Sequence, residues 1–584
     1  MAFYVSPKGS DNNPGTVNAP FMTLARAVDE TRLSGEKEIL LFGGVYENTS
    51  VTLDGRDCGL SICSCSCSVR EGEPVLRGGV KIYGWEKIDG DLYSLSIPAS
   101  IAGDIRALEV NGRLCMRSRF PKSGSIEHLT ECRLNWMSTS AGGWDVNPTE
   151  AQMSELIYDR NSIPDGFDWN NAELTVFHRW DESYVGVKSH DSEKNLLELY
   201  PPCGHPVGGF GVKKYIIWNT EYGMEPGCWR FDKADRKIYY RAMPNENMQN
   251  AETYIPLHDH IIKIDGEISG LEIKNITFMT ASAPMMPGGF GAIKIPGAIE
   301  SSYGLDSCSF KNLTFKNIGG WGIKLWGKNG SNKNISVNHC CVENAGAGGI
   351  LISEAKSGSN MLDGGKSGCV ISENRVERIG LLYFSGAGIY GTRCDIIENT
   401  LDNLPYTGIV YAGGDNGIIS RNRITNVMQI LHDGAGIYVT FCKSGVMNGN
   451  IVENVGKSGE YFSQRHGLYF DEHTFDCTAE GNIVINCADA MLNHMASGNI
   501  VRNNIFAIHD GDIIISFIRC ENCQIAGNAF HSNGAFILAG RKNAITLFEN
   551  NNIYSAIGDV KQIYIEDDYS RSQPVIFDGK NALK

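Results

Sequence analysis

IIENTLDNLPYTGIVYAGGDNGIISRNRITNVMQILHDGAGIYVT, residues 396–440, decides the fold, because it says one thing twice. A unit of apolar, polar, asparagine and apolar residues (IIENTL, then ISRNRI) precedes a second short apolar strand that opens on glycine (TGIVYA, then AGIYVT). Working outward, the first unit recurs with Asn275, Asn312, Asn338, Asn374, Asn399, Asn422, Asn450, Asn482, Asn504 and Asn528, at spacings of 22 to 37 residues. The shortest spacings set the minimal coil, and the longer ones carry loop insertions. Short alternating strands at this period predict a parallel β-solenoid. Asparagines that return once per coil are expected to stack into a side-chain amide ladder.

The glycine-led strand aligns coil by coil on a small residue: Gly322, Gly349, Gly388, Gly408, Gly436, Gly467, Ala490 and Asp512. The next position is apolar throughout, from Ile323 to Ile513, and is expected to face the core. Strand alternation then sends the second and fourth positions outward. Those rows bring Tyr390, Tyr438 and Tyr469 beside Thr440, Asp471 and His494, with Trp326 further down the solenoid. Coils stack at about 4.8 Å, so these side chains form one wall although they are far apart in the chain. Tyrosines and a histidine around a carboxylate suit a sugar, which stacks its apolar face and hydrogen-bonds at its edge. The bland alternative is a wall packed under another part of the chain.

Composition agrees with a globular β-rich chain. Hydrophobic residues make up 42%, charged residues 20%, and there are 67 glycines among 584 residues. The net charge of −15 argues against a nucleic-acid or anionic-membrane partner. No apolar run approaches the ~20 residues that span a bilayer. The opening MAFYVSPKGSDNNPG shows no export signal, which predicts a cytoplasmic chain and free thiols for the 18 cysteines. Cys63, Cys65 and Cys67 alternate on one strand face, and Cys520 and Cys523 form a lone C-x-x-C; both groups read as core rather than metal sites. No metal and no cofactor is expected.

Residues 1–83 read as an N-terminal cap and the first coils, with helical spacing over FMTLARAVDET (21–31). From 84 to 255 the asparagine unit vanishes, and alternating segments such as ELTVFHRWD and RKIYYRA predict an inserted β-sandwich-like domain. His178, Trp180 and Asp181 read first as sandwich core, and second as a hairpin reaching over the solenoid wall. Residues 256–584 read as the main solenoid with a closing cap. The Gly/Ser-rich segment 354–368 suits a rim loop.

The opening FYVSPKGSDNNPGTVNAPFMTLARAV resembles the start of bacterial right-handed β-helix glycosidases. DGAGIYVT (433–440) followed by HGLYFDEHT (466–474) resembles the paired motifs of glycoside hydrolase family 141-like proteins. The resemblance implies an all-β, right-handed parallel β-helix with an inserted β-sandwich-like domain. It also implies a two-carboxylate hydrolase acting on fucosides or xylan, with Asp433 and Asp471 at the matching positions. The β-xylosidases of family 120 are the second relative. Asp471 matches their nucleophile, but their acid lies one coil onward, where this chain has His494, so the family 141-like reading ranks first.

Glycoside hydrolysis needs one carboxyl to protonate the leaving oxygen and another to attack or to activate water. Asp471 stands on the outer strand face, and Asp433 lies at the entry of the strand one coil earlier. The expected assignment is Asp471 as nucleophile or base and Asp433 as acid, with Glu472 the competitor should the strand end at Asp471. His494 is expected to hold the carboxylate or a sugar hydroxyl. His466 and His432 flank the motifs as candidate contacts, and Asp415 is a further candidate or a turn residue. The expected partner is an oligosaccharide or small glycoside, cut from its end. A β-helix lyase or epimerase, and a non-catalytic carbohydrate-binding solenoid, are the competing classes.

Overall fold

The computed structural model describes residues 2–66, 72–327, 331–354, 364–456, 464–541, 543–564 and 575–578. The expected rim segment falls mostly on 355–363, and Cys67 on 67–71, both outside the described residues.

The chain is a right-handed parallel β-helix. Each coil of its central part contributes three short strands, such as Cys394–Ile397, Thr400–Asp402 and Ile409–Asp415. Each strand pairs in parallel with its counterpart one coil on: Ile396 with Ile419, Thr400 with Arg423, Ile409 with Ile437. The third strands form one sheet of fifteen strands from Val51–Leu53 to Val575–Asp578, parallel except for its last pair. The apolar row predicted from the sequence faces a continuous core: Ile323, Ile350, Ile389, Ile409, Ile437, Leu468 and Met491 are in register and fully buried.

The small residue ahead of that row has a steric cause. A β-carbon added at Gly436 would lie 2.4 Å from Val452 and 2.9 Å from the Gly467 carbonyl. The last aligned coil departs from the expected register. Met491 pairs with Ile515 rather than Ile513, so Ile514, not Asp512, continues the small-residue row. Asp512 instead sits in the turn before the strand, accepting the Ala535 N–H at 2.7 Å. Ser516 therefore follows Leu492, and Ile518 follows His494.

The amide ladder runs from Asn374 through Asn399, Asn422, Asn450, Asn482, Asn504 and Asn528 to Asn551. Each Nδ2 donates to the next Oδ1 at 2.9–3.0 Å. Every Oδ1 from Asn399 on also accepts the backbone N–H of the asparagine one coil earlier, as Asn450 does from Asn422 at 3.0 Å. Three expected members stand elsewhere. Asn275 and Asn312 occupy the left-handed corner one residue earlier (φ 58° and 52°) and pair with each other at the surface. Asn338 lies two residues before the rung, bonded to Ser336. Ile276, Leu313 and Cys340 fill the rung in those coils. A corner and a rung one residue apart both favour asparagine, one for its tolerance of positive φ and one for its amide, so spacing alone does not separate them.

Between Pro74–Arg77 and Ile262–Ile264 the chain leaves the solenoid, and the return is direct: Ile262 pairs with Val51. The excursion builds three further sheets, mostly antiparallel, around two separate cores, one on Trp229 and Tyr240 and the other on Leu174 and Tyr215. It is pinned to the solenoid by buried polar groups. Arg77 bridges Glu109 at 3.0 Å, and Asn317 donates to the same carboxylate at 3.0 Å. The fully buried Glu182 accepts the Ser385 N–H at 2.7 Å. Burial, reinforced by the charge of Asp181, raises its carboxyl well above the usual range. Sixteen described cysteines are free thiols, Cys520 and Cys523 among them in the core, and Cys65 is disulfide-bonded.

The ladder makes a direct prediction. Asn450 is fully buried and makes four side-chain hydrogen bonds. Asn450→Ala strands their partners in the core and is expected to cost about 3 kcal/mol. Asn338→Ala, off the ladder, is expected to cost less than about 1 kcal/mol. Urea unfolding of the two variants checks the difference.

Candidate active site

Asp471 directly follows the strand Arg465–Phe470, and its N–H donates to the Val439 carbonyl at 2.8 Å, so the backbone is still tied to the neighbouring coil. Its two carboxylate oxygens are held separately. Tyr438 donates to Oδ2 at 2.5 Å, and His494 Nδ1 lies 2.7 Å from Oδ1. Burial pushes the Asp471 carboxyl upward, but the hydrogen bond and charge of His494 and the Tyr438 hydroxyl outweigh it, and it titrates below its ordinary value. Burial likewise opposes the charged His494, yet Asp471 wins and raises the imidazole.

Asp433 ends the turn before Gly434–Lys443 with a left-handed backbone (φ 57°). Tyr406 fixes that turn by donating to the Asp433 carbonyl at 2.8 Å, and Tyr469 reaches its Oδ1 at 3.4 Å. No cation lies within ion-pair distance among the described residues. Burial first, and then the charge of Asp471, lift the Asp433 carboxyl to about 6 against the pull of Arg179, His494 and Tyr469. Tyr438 and Tyr469 are register partners whose rings meet edge to face at 5.0 Å, and each grips one of the two aspartates. The coil stacking therefore brings together two acids 38 residues apart in the chain, with opposite protonation tendencies.

Both face one cavity of about 610 Å³. Tyr390, Tyr438, Tyr469, Thr440 and His494 line its solenoid side, as expected from the rows. Glu472 also lines it, but both its oxygens accept backbone N–H groups of the inserted segment, Thr139 at 3.3 Å and Ser140 at 3.1 Å. That is the geometry of a tether for the loop above the cavity rather than of a proton donor.

The other flanking candidates lie outside the cavity lining. His466 is buried behind Tyr469, ring to ring at 5.0 Å, and burial pushes it down to about 3. His432 faces Arg465, whose Nη2 lies 3.3 Å from its Nε2. Trp326 is five coils from Asp471, about 24 Å at the usual spacing. Asp415 pairs with Lys443, beyond the stretch of strand that carries the wall.

The opposite wall comes from the excursion, and here the second reading of VFHRWDES is the correct one for two of its residues. Trp180 and Asp181 line the cavity, while His178 is buried behind them against Ser183 at 3.0 Å. Asp181 faces His205 Nε2 at 3.3 Å. Burial would raise the Asp181 carboxyl, but His205 outweighs it and the carboxyl falls below its usual value. Trp136 packs on Trp180 at 5.3 Å and Arg179 lies beside them, while Phe290, whose ring meets Tyr438 at 5.4 Å, and Lys294 come from the solenoid's own insertion between Glu272–Met279 and Gly297–Ser301. Of this wall the sequence signalled only the HRWD hairpin, because the remaining residues follow no repeat.

Residues 361–512 match the family model described as the right handed beta helix region. No curated protein matches the chain significantly. A solved structure described as a glycoside hydrolase is similar at a TM-score of 0.67, with 18% identity, covering 86% of this chain and 96% of that one. The structure of XylC in complex with xylose is similar at 0.53, with 12% identity, covering 96% of this chain and 86% of that one. At these identities the likeness is one of fold, and it extends through the excursion as well as the solenoid.

The tether predicts a local effect. Glu472→Ala removes two charge-assisted acceptors, each worth about 1.5–3 kcal/mol. The Thr139 and Ser140 amides are then expected to exchange with deuterium at least about tenfold faster, while the thermal midpoint shifts by only a few degrees. Hydrogen-exchange mass spectrometry on the peptide containing both amides reads this.

Proposed function

We propose that the protein is a glycoside hydrolase that removes a terminal sugar, such as a fucoside or xyloside, from an oligosaccharide or small glycoside. The observation that carries the reading is the split carboxylate pair in one sugar-sized cavity. Asp433 is lifted towards neutrality, while Asp471 is held ionised by His494 and Tyr438. That division matches the two roles of the reaction. Asp433 gives its proton to the leaving oxygen as the bond from that oxygen to the anomeric carbon breaks. Asp471 either attacks the anomeric carbon, giving a glycosyl-enzyme that water later opens, or takes a proton from the attacking water. NMR of the first product anomer separates the two routes.

The fold supports the reading, since the similar solved structures include a glycoside hydrolase and XylC with xylose bound. The position at which the family 120 pattern expects an acid is occupied by His494, which here serves Asp471 directly. The cavity is a half-open hollow walled on one side by the excursion, which favours action at a chain end over action within a polymer. Among the described residues, sixteen free thiols, set against the one disulfide-bonded cysteine at Cys65, favour a reducing cytoplasm, where imported short glycosides are the substrates at hand.

Two results test this. Asp471→Asn is expected to lower kcat/KM on an aryl glycoside at least about 10³-fold. Asp433→Asn is expected to cost less on the aryl glycoside, roughly 10–10²-fold, than on an alkyl glycoside whose poor leaving group needs the proton. In the wild type, activity should fall as the pH rises through about 6, where Asp433 loses its proton. Asp433→Asn should lose that limb. Full activity in both variants would refute the assignment.

A further inference from the structure

Among the described residues, two cations of the cavity lining, Arg179 and Lys294, have no hydrogen-bond or ion-pair partner. Three of the cavity's four carboxylates are engaged: Asp471 with His494 and Tyr438, Glu472 with two backbone N–H groups, Asp181 with His205. The fourth, Asp433, sits away from any ion-pair partner and is lifted to about 6. Three cationic side chains line the same space: Arg519, which contacts Met495, and the pair Arg179 and Lys294. Arg179 is half-buried in the wall opposite the solenoid strands, next to Trp180, and Lys294 is exposed at the rim. Among the described residues neither side chain makes a hydrogen bond or an ion pair. Their surroundings explain why. The Arg179 backbone is fixed by its carbonyl, which accepts the His432 N–H at 3.1 Å, and of the nearby acids only Asp433, on which Arg179 exerts a pull without reaching ion-pair distance, is not committed to another partner. A guanidinium held in a confined wall without a carboxylate is costly unless its partner arrives from solution, and its planar fork suits a carboxylate or an oxyanion. Trp180 and Trp136 beside it offer the apolar surface that a sugar ring stacks on.

We propose that this cavity takes an acidic glycoside, its anionic substituent seated between Arg179 and Lys294 and its ring on Trp180. The inference rests on the hydrolase reading for its substrate class, but not for its test. The shared chemistry is a fixed negative charge on a sugar, supplied by a uronic acid carboxylate or a sulfate ester. The two have separate probes.

The test is a tryptophan-fluorescence titration of full-length Asp471→Asn protein, whose cavity keeps its shape without turning substrate over. The probes are xylotriose bearing a glucuronic acid, sulfated methyl fucoside, and the neutral parents xylotriose and methyl fucoside. At least one acidic probe is expected to bind roughly ten- to hundredfold more tightly than its parent. The preference should shrink as salt rises from about 50 to about 500 mM. Arg179→Gln and Lys294→Gln should each reduce the acidic-to-neutral ratio, and Arg179→Lys should restore part of it. Circular dichroism establishes that each variant folds, and thio-linked probes on the wild type replace Asp471→Asn if it does not fold. Equal affinities for acidic and neutral probes, or a preference unchanged in Arg179→Gln, would overturn the proposal. Product analysis keeps the two readings apart. Hydrolysis of neutral glycosides without any acidic preference removes this inference and leaves the hydrolase. Unsaturated products absorbing near 235 nm from a 4-linked uronate oligomer, formed as the C5 proton is abstracted and the C4–oxygen bond breaks, keep the inference and remove the hydrolase.

Discussion

Parallel pairing between successive coils is the constraint on which the rest of this molecule depends. The site belongs to no single segment. Tyr438 and Asp433 come from one coil, Tyr469 and Asp471 from the next, and His494 from the one after. A slip of one residue at any of these pairings would send the whole outer row into the core. The asparagine ladder resists that slip, because each buried amide is satisfied only when its neighbours stand in register. The apolar core row supplies the burial. The ladder supplies uniqueness, since an amide out of line leaves unpaired polar groups with nowhere to go.

On this frame, two chemically identical side chains acquire different protonation states from their neighbours. Asp471 receives two donors, one of them a histidine held charged by the same contact. Asp433 receives one long hydrogen bond from Tyr469 and feels the negative charge of Asp471 across the cavity. The tyrosine row does more than offer a sugar surface. Its two register partners fix the separation of the acids by binding one each. The excursion then walls the far side and adds its own charges, its loop fastened at Thr139 and Ser140 to Glu472, the residue next to Asp471.

Much of this was legible in the sequence, and the boundary is instructive. The solenoid, the core row, the tyrosine row and the placing of Asp433, Asp471 and His494 all follow from a period and a strand alternation, which are local and repeat. The errors arose where two local rules coincide or where the repeat stops. Asn275 and Asn312 hold corners rather than rungs, because both positions suit asparagine. Asp512 follows the pattern in letters but lies in a turn, since two extra residues enter before the next strand. Glu472 reads as a spare acid until the Thr139 and Ser140 amides are seen above it. His205 and Lys294 were invisible for a different reason. His205 reaches the cavity through tertiary packing of the excursion on the solenoid, and Lys294 through a non-repeating insertion of the solenoid between Glu272–Met279 and Gly297–Ser301, and no spacing in the chain encodes either contact.

The central claim is that at one pH the two aspartates differ in charge. Infrared difference titration, comparing the wild type with Asp433→Asn, tests it most directly. The account predicts a protonated-carboxyl C=O band that disappears with a midpoint near pH 6 in the wild type and is missing from the variant. A band with its midpoint at the ordinary aspartate value near 4, or one that persists unchanged in Asp433→Asn, would contradict it.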